Sequence, residues 1–242
     1  MLSTSRFAAV TVAIAACAAA PAAMAAIVVA SSGPSAAQYP AGKKLDDNAQ
    51  VTLRAGDTLT ILDARGTRVL RGAGTFSVAP PAAGADRSAT FAALTRQRAS
   101  QRVRTGAVRD PVAPVKVMSP NLWYVDVSQG GTRCLVDPAG VRLWRADASA
   151  PASYRIAGAG NAAATVDFAA ASMVAGWDAM LPVADGASYA ISRTGSAQSV
   201  TISFALLPEM PATPEDMARV LIEKGCTTQL DLLAQSMAVP AQ

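Results

Sequence analysis

Histidine is absent from all 242 residues. Its absence removes the commonest general base and metal ligand, along with every Ser-His or Cys-His nucleophile pair. Aromatic residues make up only 5%, so the core has to be assembled largely from small aliphatic side chains. Lysine is scarce beside arginine, 4 against 17, and the net charge is +4. So modest a balance implies no nucleic-acid partner, because charge must be clustered to steer one. Three cysteines without histidine leave no zinc-ligand spacing, and no Asp-rich loop has the calcium pattern. Gly-x-Ser-x-Gly and Ser-x-x-Lys patterns are also missing. No cofactor, metal or catalytic residue is therefore expected.

The first 25 residues, "MLSTSRFAAVTVAIAACAAAPAAMA", contain an address. Arg6 and the α-amino group form a basic start, residues 7–20 an apolar stretch, and Pro21 a break before the small-x-small step Ala23-Met24-Ala25. This pattern predicts a secretory signal peptide cut after Ala25 and a periplasmic mature chain. Two alternatives stand beside it. "IAAC" (residues 14–17) fits a lipobox that would make Cys17 the lipidated residue of a lipoprotein, and residues 7–30 are long enough to stay as an anchor. Removal of residues 1–25 leaves two cysteines, Cys134 and Cys226, in an oxidising compartment. A disulfide between them would close a loop of about 90 residues, for which chain entropy gives roughly 4–5 kcal/mol. The other reading is two buried free thiols.

Beyond the leader the fold class is mainly β. A first unit, 26–80, has short apolar runs "AIVVA", "VTL", "TLTIL" and "TRVL" divided by "SSGPS", "RAGD" and "DARG", followed by "RGAGTFSV". Glycine late in the four-residue connections suits a type I turn ending in a left-handed residue, which predicts a β-meander. Leu59 and Ile61 are expected on one face, Thr58 and Thr60 on the other. A linker, 81–118, begins "PPAAGADRS". Ser88 is expected to cap a helix over "ATFAALTRQRASQRVR", with Phe91 and Leu94 on its apolar stripe. The rest of that helix is cationic: Arg96, Arg98, Arg102 and Arg104, with Arg109 beyond. A second unit, 119–242, shows about eight short strands expected to form a β-sandwich. In it "LWYVDV", "TRCLV" and "VRLWRA" are joined by "SQGG" and "DPAG", and "IAGAGNA" is a hairpin loop. Two short helices end the chain. Thr213-Pro214-Glu215-Asp216 opens the first, and Thr227 or Thr228 caps the second. Cys226, at their corner, would pin the pair to the strand holding Cys134.

The order of a Gly-Pro step, "GKKL" and "VTLRAGDTLTILDARGTRVLRGAG" is similar to FecR-like domains, small periplasmic β modules of bacteria. The similarity covers roughly the first unit and rests on turn glycines. It implies a periplasmic sensing or interaction module. The second membrane helix and cytoplasmic regulatory segment of the full family have no counterpart in these residues, so signal relay across the membrane does not carry over.

Each remaining feature has a plain alternative. Asp57, Asp63 and Asp137 occupy turns, where a carboxylate bonds neighbouring N–H groups. Trp123, Trp144 and Trp177 belong either to sheet packing or to an aromatic platform for a glycan. The arginine run is a solvated helix or a strip that contacts an acidic partner, an anionic glycan or lipid headgroups. The expectation is a non-enzymatic envelope protein that senses or scaffolds through a protein partner. The alternative is a periplasmic glycan- or anionic-lipid-binding protein.

Overall fold

The computed structural model describes residues 26–79, 87–96 and 117–239. Its first part comprises β1 (Ala26–Ser32), β2 (Lys44–Leu45), β3 (Gln50–Leu53), β4 (Thr58–Asp63), β5 (Gly66–Arg71) and β6 (Gly74–Ser77). Four strands make an antiparallel sheet in the order β2-β1-β4-β5, while β3 and β6 pair with each other. Alternation behaves as expected in β4: Leu59 and Ile61 enter a local core with Val28, Val51, Leu53 and Val78. On the opposite face Leu62 joins Ile27 and Val29 in a larger core. β1 therefore shows an unbroken apolar run because both its faces are covered.

The meander is corrected in one respect. "RAGD" does not close a hairpin; it is a corner through which the chain passes from the β3–β6 pair into the four-stranded sheet. Asp57 holds the corner. Its carboxylate is 2% exposed and accepts the backbone N–H groups of Ser35 (2.9 Å) and Arg54 (2.5 Å). That ties the corner to the loop after β1, and Gly56 supplies the positive φ of 85°. "DARG" is a true hairpin, with Asp63 opposite Gly66. The polar crossing at "AGKKLDD" carries the short strand β2.

α1 spans Ser88–Thr95, with Arg87 at the cap position, not Ser88, and ends before most of the arginine run. Tertiary contacts stop it. The carbonyl oxygens of Leu94, Thr95 and Arg96 accept the Leu122 N–H (2.9 Å), the Trp123 Nε1–H (2.7 Å) and the Asn121 side-chain amide (2.7 Å). The last turn is capped from elsewhere in the fold, so no local stop signal is needed.

The second part contains β7 (Tyr124–Asp126), β8 (Gly131–Leu135), β9 (Arg142–Trp144), β10 (Ala152–Ala157), β11 (Ala163–Phe168), β12 (Val174–Gly176), β13 (Ser188–Arg193) and β14 (Ser199–Leu206). They form a five-stranded sheet, β11-β10-β13-β14-β8, and a three-stranded sheet, β12-β9-β7, whose side chains share one core. Strands consecutive in the chain from β7 to β9 are not neighbours in a sheet. β7 pairs in parallel with β9, and β8 crosses to the other sheet to pair in parallel with β14. The β10–β11 hairpin closes through "GAGN" as anticipated.

Two helices finish the chain, α2 (Pro214–Glu223) and α3 (Thr227–Ser236). Thr213 caps α2 by accepting the Asp216 N–H at 3.1 Å. The cap position of α3 is taken by Cys226 itself, not by a threonine. Met217, Leu221, Leu230, Leu233 and Met237 are buried in the same core that receives Ile27, Val29 and Leu62. The C-terminal helices thus belong to both parts. Among the described residues no helix is long and apolar enough to cross a membrane.

Candidate functional site

The seam between the two β parts is built at the tip of the β4–β5 hairpin. Thr67 donates its N–H to the Met237 carbonyl (2.8 Å), and Val239 donates its own to the Thr67 carbonyl (3.0 Å). Gly66 lies under this contact with φ 129°, and a Cβ there would sit 2.5 Å from the Met237 oxygen. Beside the seam, Asp63 accepts from Arg68 at 3.0 Å and from the Arg65 N–H at 2.8 Å. Glu215, in the first turn of α2, has its pKa raised by burial, with the Asp63 charge adding to the effect.

On its other side α3 is fixed to β8. The sulfurs of Cys134 and Cys226 stand at bonding distance, 1.96 Å, with Cα atoms 5.9 Å apart, and both residues are fully buried. Gln229, 2% exposed, saturates its amide across the same junction. Its Oε1 accepts the Cys134 N–H (2.6 Å), and its Nε2 donates to the carbonyls of Leu122 and Cys134 (2.9 Å each). A covalent bond and two buried hydrogen bonds therefore hold α3 to β8, and a third ties it to the segment before β7.

Beside this junction lies a cavity of about 80 Å³ bounded by α3, β7, β8 and β9. Arg133 and Trp144 line it, 3% and 1% exposed, with Tyr124 and Gln129 near them and Asp231 and Gln235 at its exposed edge. The Arg133 guanidinium donates to the Thr228 hydroxyl and to the Gln129 carbonyl (2.8 Å), while its Nε–H has no partner. Burial lowers the Arg133 pKa from its usual value and the Asp126 charge opposes that; a guanidinium stays protonated regardless. The Trp144 Nε1–H is likewise unpaired. Tyr124 has its pKa raised by burial, against the pull of Arg142.

A second buried guanidinium, Arg145, presents a contrast. It donates to three backbone carbonyls, Ser172 (2.9 Å), Ala150 (2.8 Å) and Ala169 (2.9 Å), and lies over the Phe168 ring at 5.0 Å. Arg145 is a completed structural brace. Arg133 is not.

The residues singled out in the sequence fall out as follows. Arg96 is exposed just after α1, whereas Arg98, Arg102, Arg104, Arg109 and Cys17 lie outside the described residues, as does the cleavage position after Ala25. Trp123 and Trp144 are buried, and half-buried Trp177 donates to the Leu181 carbonyl (2.9 Å) and meets Tyr189 and Phe204 edge-on. The tryptophans therefore pack the fold and present no exposed glycan platform. Asp137 bonds the Ala139 N–H (2.9 Å), the turn role expected of it. Sequence reasoning passed over Arg133 and Gln229, and it singled out Trp144 for its ring and not for its unpaired indole N–H. Arg133 sits in a strand whose neighbours Cys134 and Leu135 are also buried, so alternation carries no mark of it. Comparison with family models, curated proteins and solved structures finds no match.

Proposed function

We propose that this mainly-β chain is a non-enzymatic, exported protein of the bacterial envelope that senses or scaffolds by contact, with a FecR-like N-terminal module. The observation that supports this reading is the seam. Ile27, Val29 and Leu62 of the first β part share a core with α2 and α3, and α3 is in turn bonded to β8. Such a join holds two β platforms at one spacing, which suits presentation of surfaces to an envelope partner better than closure around a substrate. A disulfide-compatible cysteine pair fits the oxidising periplasm.

The test is expression of the full chain in a Gram-negative host, followed by fractionation, intact mass and in-cell photo-cross-linking from Val69, which is 46% exposed on β5. A periplasmic product beginning at residue 26, oxidised and cross-linked to one discrete envelope protein, is the expected result. Cytosolic retention with residues 1–25 intact would overturn the reading, and a lipid mass on Cys17 would move it to a lipoprotein.

A further inference from the structure

Burial normally obliges a polar group to find a partner, and a buried charge to find an opposite charge. Arg133 meets neither condition fully. No described carboxylate lies within ion-pairing distance of it. The nearby Asp126 carboxylate is already occupied: Oδ1 accepts the Ser128 N–H (2.9 Å) and hydroxyl (2.6 Å), and Oδ2 accepts the Gln129 amide (2.8 Å). Two N–H donors, Arg133 Nε and Trp144 Nε1, are buried and unpartnered on residues that line one cavity. Both are donors, so what completes them is an acceptor, and a guanidinium with no ion pair within 4 Å favours an anionic one.

We propose that this cavity is a binding site for a small carboxylate. Arg133 supplies the positive charge, and the Trp144 indole N–H supplies a second, directional bond. The space open to water in the cavity, about 80 Å³, where a single water needs about 10–15 Å³, has room for a carboxylate with a short tail. Asp126 and exposed Asp231 also line the cavity, and their charges disfavour a dianion more strongly than a monoanion. Each orphan nitrogen is shielded in the free form, so entry requires Arg133 or Trp144 to shift towards the ligand, and stability should register occupancy. This deepens the sensing reading by giving it a ligand, and the two can fail separately.

The experiment uses the oxidised full chain, purified from whichever fraction holds it, with acetate as the probe. Formate, inorganic phosphate and sulfate are compared with it at constant ionic strength, and thermal midpoint and calorimetric titration are read. Acetate and formate are expected to raise the midpoint saturably, with sulfate and phosphate weaker. Trp144→Phe keeps the ring and removes the donor, and should weaken acetate binding by about tenfold, the scale of one charge-assisted hydrogen bond. Arg133→Met should abolish binding; should it fail to fold, Trp144→Phe decides alone. A flat response to acetate and formate in the millimolar range means that the donors hold water only and overturns the proposal. So does a response that Trp144→Phe leaves unchanged. Acetate binding by a chain retained in the cytosol would sink the export reading and leave the site standing.

Discussion

At the scale of single residues, two carboxylates contribute to stability with opposite signs. The Asp57 pKa is lowered, chiefly by the Ser35 side-chain hydrogen bond and further by the backbone N–H groups of Ser35 and Arg54, with burial opposing. A depressed folded pKa means that its contribution is present above the unfolded value and is lost as pH falls through the folded one. Asp57→Asn should therefore lower the thermal midpoint at pH 7 and have progressively less effect below pH 4, the ordinary carboxylate range. Equal effects at both pH values would mean that the carboxylate charge is irrelevant to the corner. Glu215 behaves oppositely. Burial raises its pKa, so its ionised form works against the fold at neutral pH, and the penalty fades as pH falls through the raised value. Glu215→Gln should stabilise the chain at pH 7, by less than about 1 kcal/mol because the group is only half-buried. The gain should vanish in acid, and a destabilised variant at pH 7 would show that the helix N-terminus outweighs burial.

At the scale of elements, the seam and the staple can be broken separately. Gly66→Ala places a methyl group 2.5 Å from the Met237 oxygen on a backbone with φ 129°. A loss of about 1–3 kcal/mol is expected, the range for such strain. Amide exchange should speed up first at Thr67 and Val239, which make the seam's two hydrogen bonds. Cys134→Ser with Cys226→Ser opens a loop of 92 residues and should cost about 2–5 kcal/mol by denaturant titration, leaving Gln229 to hold α3 to β8. Most of these elements were legible in the sequence. β1, β4 and β5 follow apolar runs bounded by turn residues, and Thr213-Pro214 marks the start of α2. Their partners were not. β3 pairs with β6 across 23 residues, from Thr52 to Thr75, and β8 finds β14 across 71, from Thr132 to Ser203. Local turn chemistry has no say over such distances. The cavity was illegible for a related reason: Arg133 and Trp144 are ordinary strand residues until β8, β9 and α3 converge on them.

At the scale of the whole molecule, the shared core decides whether the N-terminal module can stand alone. Ile27, Val29 and Leu62 are each at most 5% exposed because α2 and α3 cover that face. Cutting the chain after residue 80 would keep every strand of the module and uncover those side chains, a contiguous apolar patch of the kind that drives association. A segment of residues 26–80 should therefore bind a hydrophobic dye and self-associate. The oxidised full chain, by contrast, should unfold in one cooperative step. Its three tryptophans all lie beyond residue 120, whereas the β4 amides lie in the first part, so two independent reporters are available. Tryptophan fluorescence and exchange of the Leu59 and Ile61 amides should give the same midpoint in denaturant. A β4 that opens at lower denaturant than the tryptophans report would mean that the two platforms are separately stable. The fixed spacing on which the proposed scaffolding role depends would then be lost.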